Sequence, residues 1–192
     1  TVEAMNRRFE ILMRHERDGS WDEWVEDWRR IFDFRLQQTR IALEKGKPTP
    51  KDDGQYWRWH DSGDLQSVEH FASLCRIAEM CPDVDFWLPT KEAGMVRKYL
   101  DRCGKPETAI PTNLCVRISV PLKDRAPQGS LLLLLAMSPQ IAFAGCHTDG
   151  HHDGGDFIMD DYDTQECDAY LKDGECGDCR DCWDAYNIFV SY

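Results

Sequence analysis

Tyr56-Trp57-Arg58-Trp59-His60 alternates in character from residue to residue, and this stretch with its two successors decides the fold. Period-two alternation marks a strand whose two faces meet different surroundings. Asp61-Ser62-Gly63-Asp64 then turns the chain, and Ser67 opens a helix with apolar positions Val68, Phe71, Leu74, Cys75 and Ala78. Val84 to Leu88 reads as a second strand, residues 91–103 as a second helix stopped by Gly104, and Leu114 to Val120 as a third strand. Strand, helix, strand, helix, strand at this spacing implies right-handed crossovers and parallel pairing. The expected class is therefore α/β: a parallel sheet or partial β/α barrel, with N-terminal helices and a C-terminal cysteine-rich metal-binding tail.

Upstream, Val2, Met5, Phe9, Leu12 and Met13 recur at three- and four-residue spacings, which predicts an amphipathic helix over residues 2–17. Ser20 followed by Glu23 has the form of a capping box, opening a second helix whose stripe is Trp24, Trp28, Ile31, Phe32 and Leu36. That stripe reads as a face packed on the sheet. The loop from Gly46 to Gly54 separates the helices from the first strand. Downstream, Leu131 to Met137 and Ile141 to Ala144 are short apolar runs whose length favours buried strands, with a buried helix the alternative for the leucines. After Gly145 the composition turns polar, acidic and glycine-rich. The organisation expected is a body over residues 1–150 and an acidic loop with a cysteine tail over 151–192, forming one compact unit.

A net charge of −12 argues against a broad electrostatic grip on nucleic acid or anionic lipid, although a local basic groove remains compatible with it. No apolar run is long enough to span a bilayer, so no membrane association is expected. Nine cysteines fit a closed disulfide framework poorly and fit reduced thiols in a cytoplasm better. The chain opens on Thr1 rather than Met, which leaves room for an upstream segment.

The tail carries the sharpest chemical signal. In Cys167-Asp-Ala-Tyr-Leu-Lys-Asp-Gly-Glu-Cys176-Gly-Asp-Cys179-Arg-Asp-Cys182-Trp183, the last three thiols follow a C-x2-C-x2-C rule. Such a short loop holds three sulfurs close together, the habit of cubane clusters with a fourth thiolate from elsewhere. Structural zinc more often takes two separated pairs. A [4Fe–4S] cluster on Cys167, Cys176, Cys179 and Cys182 ranks first, zinc second and disulfides third. Cys146, His147, Asp149, His151 and His152 could make a second metal site, but the intervening glycines favour a solvated loop. Cys75, Cys81, Cys103 and Cys115 share no metal-ligand spacing and read as small core residues.

At the strand ends a second group of residues gathers. The pleat sets Arg58 and His60 on one side of the first strand, with Trp57 and Trp59 on the other, and the turn adds Asp61 and Asp64. Lys91 follows the second strand. The third sets Arg117 and Ser119 opposite Val116, Ile118 and Val120. Parallel α/β sheets bind ligands beyond the carboxyl ends of their strands, so these seven polar residues are expected to form a pocket for a small molecule or nucleotide. Arg117 inside a sheet needs a partner, for which Asp61 or Asp64 is available. In an alternative reading the protein is a zinc-stabilised binding module. It would meet protein partners through the Trp-rich helix, or nucleic acid through a groove near Arg58, Lys91 and Arg117.

The ordered motifs Arg58-Trp59-His60-Asp61-Ser62-Gly63-Asp64-Leu65, Phe86-Trp87-Leu88-Pro89-Thr90-Lys91-Glu92, Asn113-Leu114, Arg117-Ile118-Ser119 and Cys176-Gly-Asp-Cys179-Arg180-Asp-Cys182-Trp183-Asp184 resemble the bacteriophage gene product 88 domain family. The resemblance covers residues 55–120 and 165–192. It implies a phage protein working in the host cytoplasm. The family layout is distantly similar to radical S-adenosylmethionine proteins, whose β/α barrels hold a cluster on three N-terminal cysteines. This chain has no such cysteine segment, so an S-adenosylmethionine enzyme would need one upstream of Thr1.

Overall fold

The computed structural model describes residues 2–47, 54–60, 64–121, 127, 129–145, 164–167, 169–172 and 177–191. Two helices come first, α1 (Val2–Asp18) and α2 (Trp21–Glu44). The body then runs β1 (Tyr56–Arg58), α3 (Val68–Met80), β2 (Asp85–Thr90), α4 (Ala93–Arg102), β3 (Leu114–Ser119), α5 (Leu132–Met137) and β4 (Ile141–Gly145). The tail adds β5 (Thr164–Glu166), a short 3-10 turn at Asp181–Trp183, and β6 (Phe189–Ser191). All six strands pair in parallel, in the order β1-β2-β3-β4-β6-β5. The architecture is α/β, an open sheet among the described residues.

The strand alternation read from the sequence sorts the two faces. Phe86, Leu88, Leu114, Val116, Ile118, Ile141 and Phe143 join one core with Phe71, Leu74 and Ile77 of α3 and Val96 and Leu100 of α4. Trp59, just after β1, joins it with Trp24, Val25 and Phe32 of α2. The turn spacing of Trp24, Trp28 and Phe32 puts their rings on Trp57, Trp59 and Phe86, with centroids 4.9 Å apart for Trp28–Trp59 and 5.1 Å for Phe32–Phe86. Aromatic edges meeting faces at these distances add to the area they bury. Trp87, Arg117 and Ala142 alternate with that set, and against this other face the 3-10 turn of the tail packs.

Asn113 fixes the chain just before β3. Its Nδ2 donates to the carbonyls of Ala78 at 3.0 Å, Cys81 at 3.1 Å and Val84 at 2.8 Å, tying the end of α3 and the following turn to the sheet. Ser67 caps α3, its hydroxyl accepting from the His70 N–H at 2.9 Å while donating to Glu16 of α1 at 2.6 Å. Helix α1 is otherwise loosely held and leaves Val2, Met5, Phe9 and Ile11 exposed.

Three expectations need correction. Leu132–Met137 is a helix, not a strand: parallel neighbours β3 and β4 need a crossover between them, and α5 is part of it. Only Leu134 is fully buried there, while Leu132 and Leu133 face solvent. The Ser20–Glu23 box does not form either. The Ser20 side chain makes no cap bond; His15 Nδ1 lies 2.7 Å from its hydroxyl and 3.0 Å from its carbonyl oxygen, so the serine closes the end of α1 instead. Finally, β1 stops at Arg58 and His60 adopts φ +54, which breaks the pleat and takes its ring away from the Arg58 side to a centroid 5.4 Å from His70.

Candidate functional site

Six of the seven strand-end residues are described, and they divide into two groups. His60, Asp64 and Lys91 stand at the carboxyl ends of β1 and β2. The Asp64 carboxylate accepts from its neighbour Leu65 N–H at 2.7 Å, from the Lys91 N–H at 2.7 Å, and from the Thr90 hydroxyl. Thr90 in turn accepts from the Glu92 N–H at 3.0 Å. Asp64 thus shapes the turn into α4 and leaves the Lys91 side chain exposed. Burial holds the His60 imidazole below its ordinary pKa against the opposing pull of Asp64 and the Pro89 backbone, and its Nδ1 has no hydrogen-bond partner among the described residues. His70, missed in the sequence because a helical histidine carries no pattern, is 2 % exposed. Burial first, and then His60, push its pKa down to about 3. Both rings are neutral near pH 7. Asp61 lies outside the described residues.

Arg58, Arg117 and Ser119 belong to the face that the tail covers. Arg58 is paired in register with Trp87, and Trp87 with Cys115, so the three form one row across the sheet. The Arg58 guanidinium sits 4.5 Å over the Trp87 ring. One row on, Arg117 is completely buried. Its partner is not Asp64 but backbone. Nε donates to Cys182 O at 3.0 Å; Nη1 to Asn187 O at 2.8 Å and Phe143 O at 3.2 Å; and Nη2 to Asp181 O at 2.5 Å and Asp184 O at 2.8 Å. A guanidinium has five N–H donors, and every one is engaged. Carbonyls at the end of a helical turn are the groups a cation satisfies best; of those Arg117 meets here, Asp181 O also accepts from the Asp184 N–H at 3.3 Å. Arg117 is the pin that holds the tail on the sheet.

Around that pin the cysteine segment folds on the aromatic row. Cys182 is 5 % exposed and packs with Trp87 and Val190, and Cys167 packs against the same cluster together with Trp183. Trp183 meets Trp87 edge to face at 5.1 Å and Tyr56 at 5.8 Å, and its Nε1 donates to Trp57 O at 3.2 Å. Arg180 lies 4.5 Å over Tyr56 and donates to the carbonyls of Gly177 and Cys179, both at 2.8 Å. Gly177, at φ +58, supplies the left-handed turn this loop needs. The Cys179 thiol donates to Asp181 at 3.2 Å.

Cys167, Cys179 and Cys182 are all described, and neither they nor any other three His, Cys, Asp or Glu side chains among the described residues stand within reach of one metal ion. Cys176 lies outside the described residues, as do Cys146, His147, Asp149, His151 and His152. The remaining thiols behave as core atoms: Cys75, Cys81 and Cys115 are buried, and burial pushes Cys81 up to about 11 and Cys115 to about 12. No helix among the described residues is long and apolar enough to cross a membrane.

Fold and site together define a parallel α/β protein with helices over one face of its sheet and a cysteine-bearing segment pinned over the other. The Gene product 88 family matches residues 2–185, and the chain belongs to that family. No curated protein and no solved structure matches the chain.

Proposed function

We propose that this is a phage-type iron–sulfur protein of the host cytoplasm, holding a [4Fe–4S] cluster through Cys167, Cys176, Cys179 and Cys182. His60, Asp64 and Lys91 would bind a small ligand or nucleotide at the strand ends. The observation that supports the reading is that Cys167 and Cys182, from opposite ends of the cysteine segment, both pack against the patch made by Trp87 and Val190. A second supports it. The buried Arg117 charge has no carboxylate partner among the described residues and lies beside Cys182, where an anionic thiolate centre supplies the missing counter-charge.

Such a centre, when bound, supplies a covalent cross-link and a one-electron couple. The chain's own residues do the rest. Arg117 fixes the carbonyls of Asp181, Cys182 and Asp184, and with them the placing of Cys182. Arg180 and Gly177 fold the backbone on either side of Cys179. Buried, protonated Cys75, Cys81 and Cys115 take no part.

Substitution of the cysteines tests the ligand set. After anaerobic purification, Cys179→Ser and Cys182→Ser lose iron, while Cys75→Ser and Cys103→Ser keep it. Equal iron in all four variants contradicts the assignment.

A further inference from the structure

Arginines on the helices and on the tail face keep different company. Arg29, Arg30, Arg76, Arg97 and Arg102 each close on a carboxylate, Arg76 on Asp22 at 2.7 Å and Arg102 on Glu69 at 2.9 Å. Arg58 and Arg180 lie on rings instead. The Arg58 guanidinium is 4.5 Å over Trp87; that of Arg180 is 4.5 Å over Tyr56 and 5.8 Å over Trp183. Among the described residues neither pairs with a carboxylate, although Asp178, Asp181 and Asp184 share the tail with Arg180. Asp181 accepts from the Cys179 thiol and the Asn187 amide, and Asp184 from the Tyr186 N–H. Arg58 is exposed and makes no hydrogen bond to the described residues. Arg180 spends Nη1 on two carbonyls, which leaves Nε and Nη2 without partners there. Those two atoms form the edge of a guanidinium that grips an oxyanion through parallel N–H groups.

The rings between them are continuous. Trp183 meets both Trp87 and Tyr56 edge to face, so Arg58, Trp87, Trp183, Tyr56 and Arg180 make one row. Beyond it Tyr186 is 89 % exposed on a turn that is firmly held. Its N–H donates to Asp184 at 2.9 Å, and the carbonyls of Asp184 and Asn187 on either side are bound by Arg117. A tyrosine has few rotatable bonds, so a ring on a fixed backbone stacks on a partner at low entropic cost.

We propose that this face binds nucleotides, with bases stacking on Tyr186 and Trp183 and phosphates on Arg58 and the free edge of Arg180. Rings interleaved with unpaired guanidiniums suit that ligand, because every base has a π face and every phosphate fits an arginine fork. The net charge of −12 sets the scale: a long polyanion is repelled, and two arginines meet about two phosphates. The site is distinct from His60, Asp64 and Lys91 at the strand ends, and it stands whether or not the cysteines hold iron.

Fluorescence anisotropy of a labelled adenosine tetranucleotide on the full-length protein, with adenosine monophosphate as competitor, tests the proposal. The strand should bind with a log K against log salt slope of about −1.4, from two phosphates at about −0.7 each. Arg58→Gln should weaken binding and bring the slope to about −0.7. Tyr186→Ser should weaken it at least about fivefold with the slope unchanged, and Arg76→Gln should change nothing. Thermal melts check that the variants fold, which is expected since the Tyr186 ring is exposed and Arg58 holds no hydrogen bond to the described residues. Monophosphate competing as well as the unlabelled tetranucleotide identifies the free nucleotide as ligand, weaker competition identifies the single strand, and both support the face. No binding of either, or binding untouched by both Arg58→Gln and Tyr186→Ser, overturns the proposal.

Discussion

Arg117 on β3 and Cys182 in the tail are joined by a 3.0 Å hydrogen bond, from Nε to the carbonyl oxygen, across 65 residues of sequence. That bond is one of five made by the same guanidinium, four of them to the tail. The sheet therefore grips the cysteine segment through a side chain and not only through the ladder of β6.

Arg117→Met keeps the apolar stem and removes every donor. Each carbonyl left buried without a partner costs about 1–3 kcal/mol, so the variant should lose at least about 3 kcal/mol of unfolding free energy. Urea titration measures the loss, and limited proteolysis should cut the tail before the body. Arg117→Lys should recover only part, because an ammonium has three donors and no planar fork. Wild-type stability in the methionine variant would contradict the role of the pin.

Asn113 offers a sharper sign. Its amide meets three carbonyl oxygens, and Asn113→Ala removes that donor at a cost of about 2 kcal/mol. Asn113→Asp sets a carboxylate against the same three oxygens and should cost more than the alanine change at pH 7. Denaturant midpoints of the two variants decide the order.

The buried histidines make stability fall with acidity. His70 is held at about 3 when folded against about 6.5 when unfolded, so the unfolded chain takes up the proton first. The stability tied to its neutral form is complete above pH 6.5 and is lost as pH falls towards 3. By pH 5 that loss is about 2 kcal/mol, with His60 adding in the same direction. His70→Phe should flatten the melting temperature between pH 6.5 and 5. A slope unchanged by the substitution would count against a buried neutral imidazole.

What the sequence made legible follows from period and spacing. Val116 and Ile118 against Arg117 and Ser119 announced two differently covered faces, and the parallel strands followed from the crossovers. Leu131 to Met137 misled because a run of leucines has no period to read. His60 misled because a positive φ at a strand end leaves no compositional trace. The partners of Arg117 were out of reach for another reason: backbone carbonyls from a segment distant in sequence carry no residue identity. Trp87 could have been found, since it shares the parity that puts Arg58 and Arg117 on the tail face.

Metal and sulfide analysis of anaerobically purified full-length protein tests the central claim most directly. Iron and acid-labile sulfide in equal amounts, about four of each per chain as a cubane requires, is the predicted result. A colourless protein with zinc and no sulfide, or with no metal while the cysteines remain reduced, would contradict it.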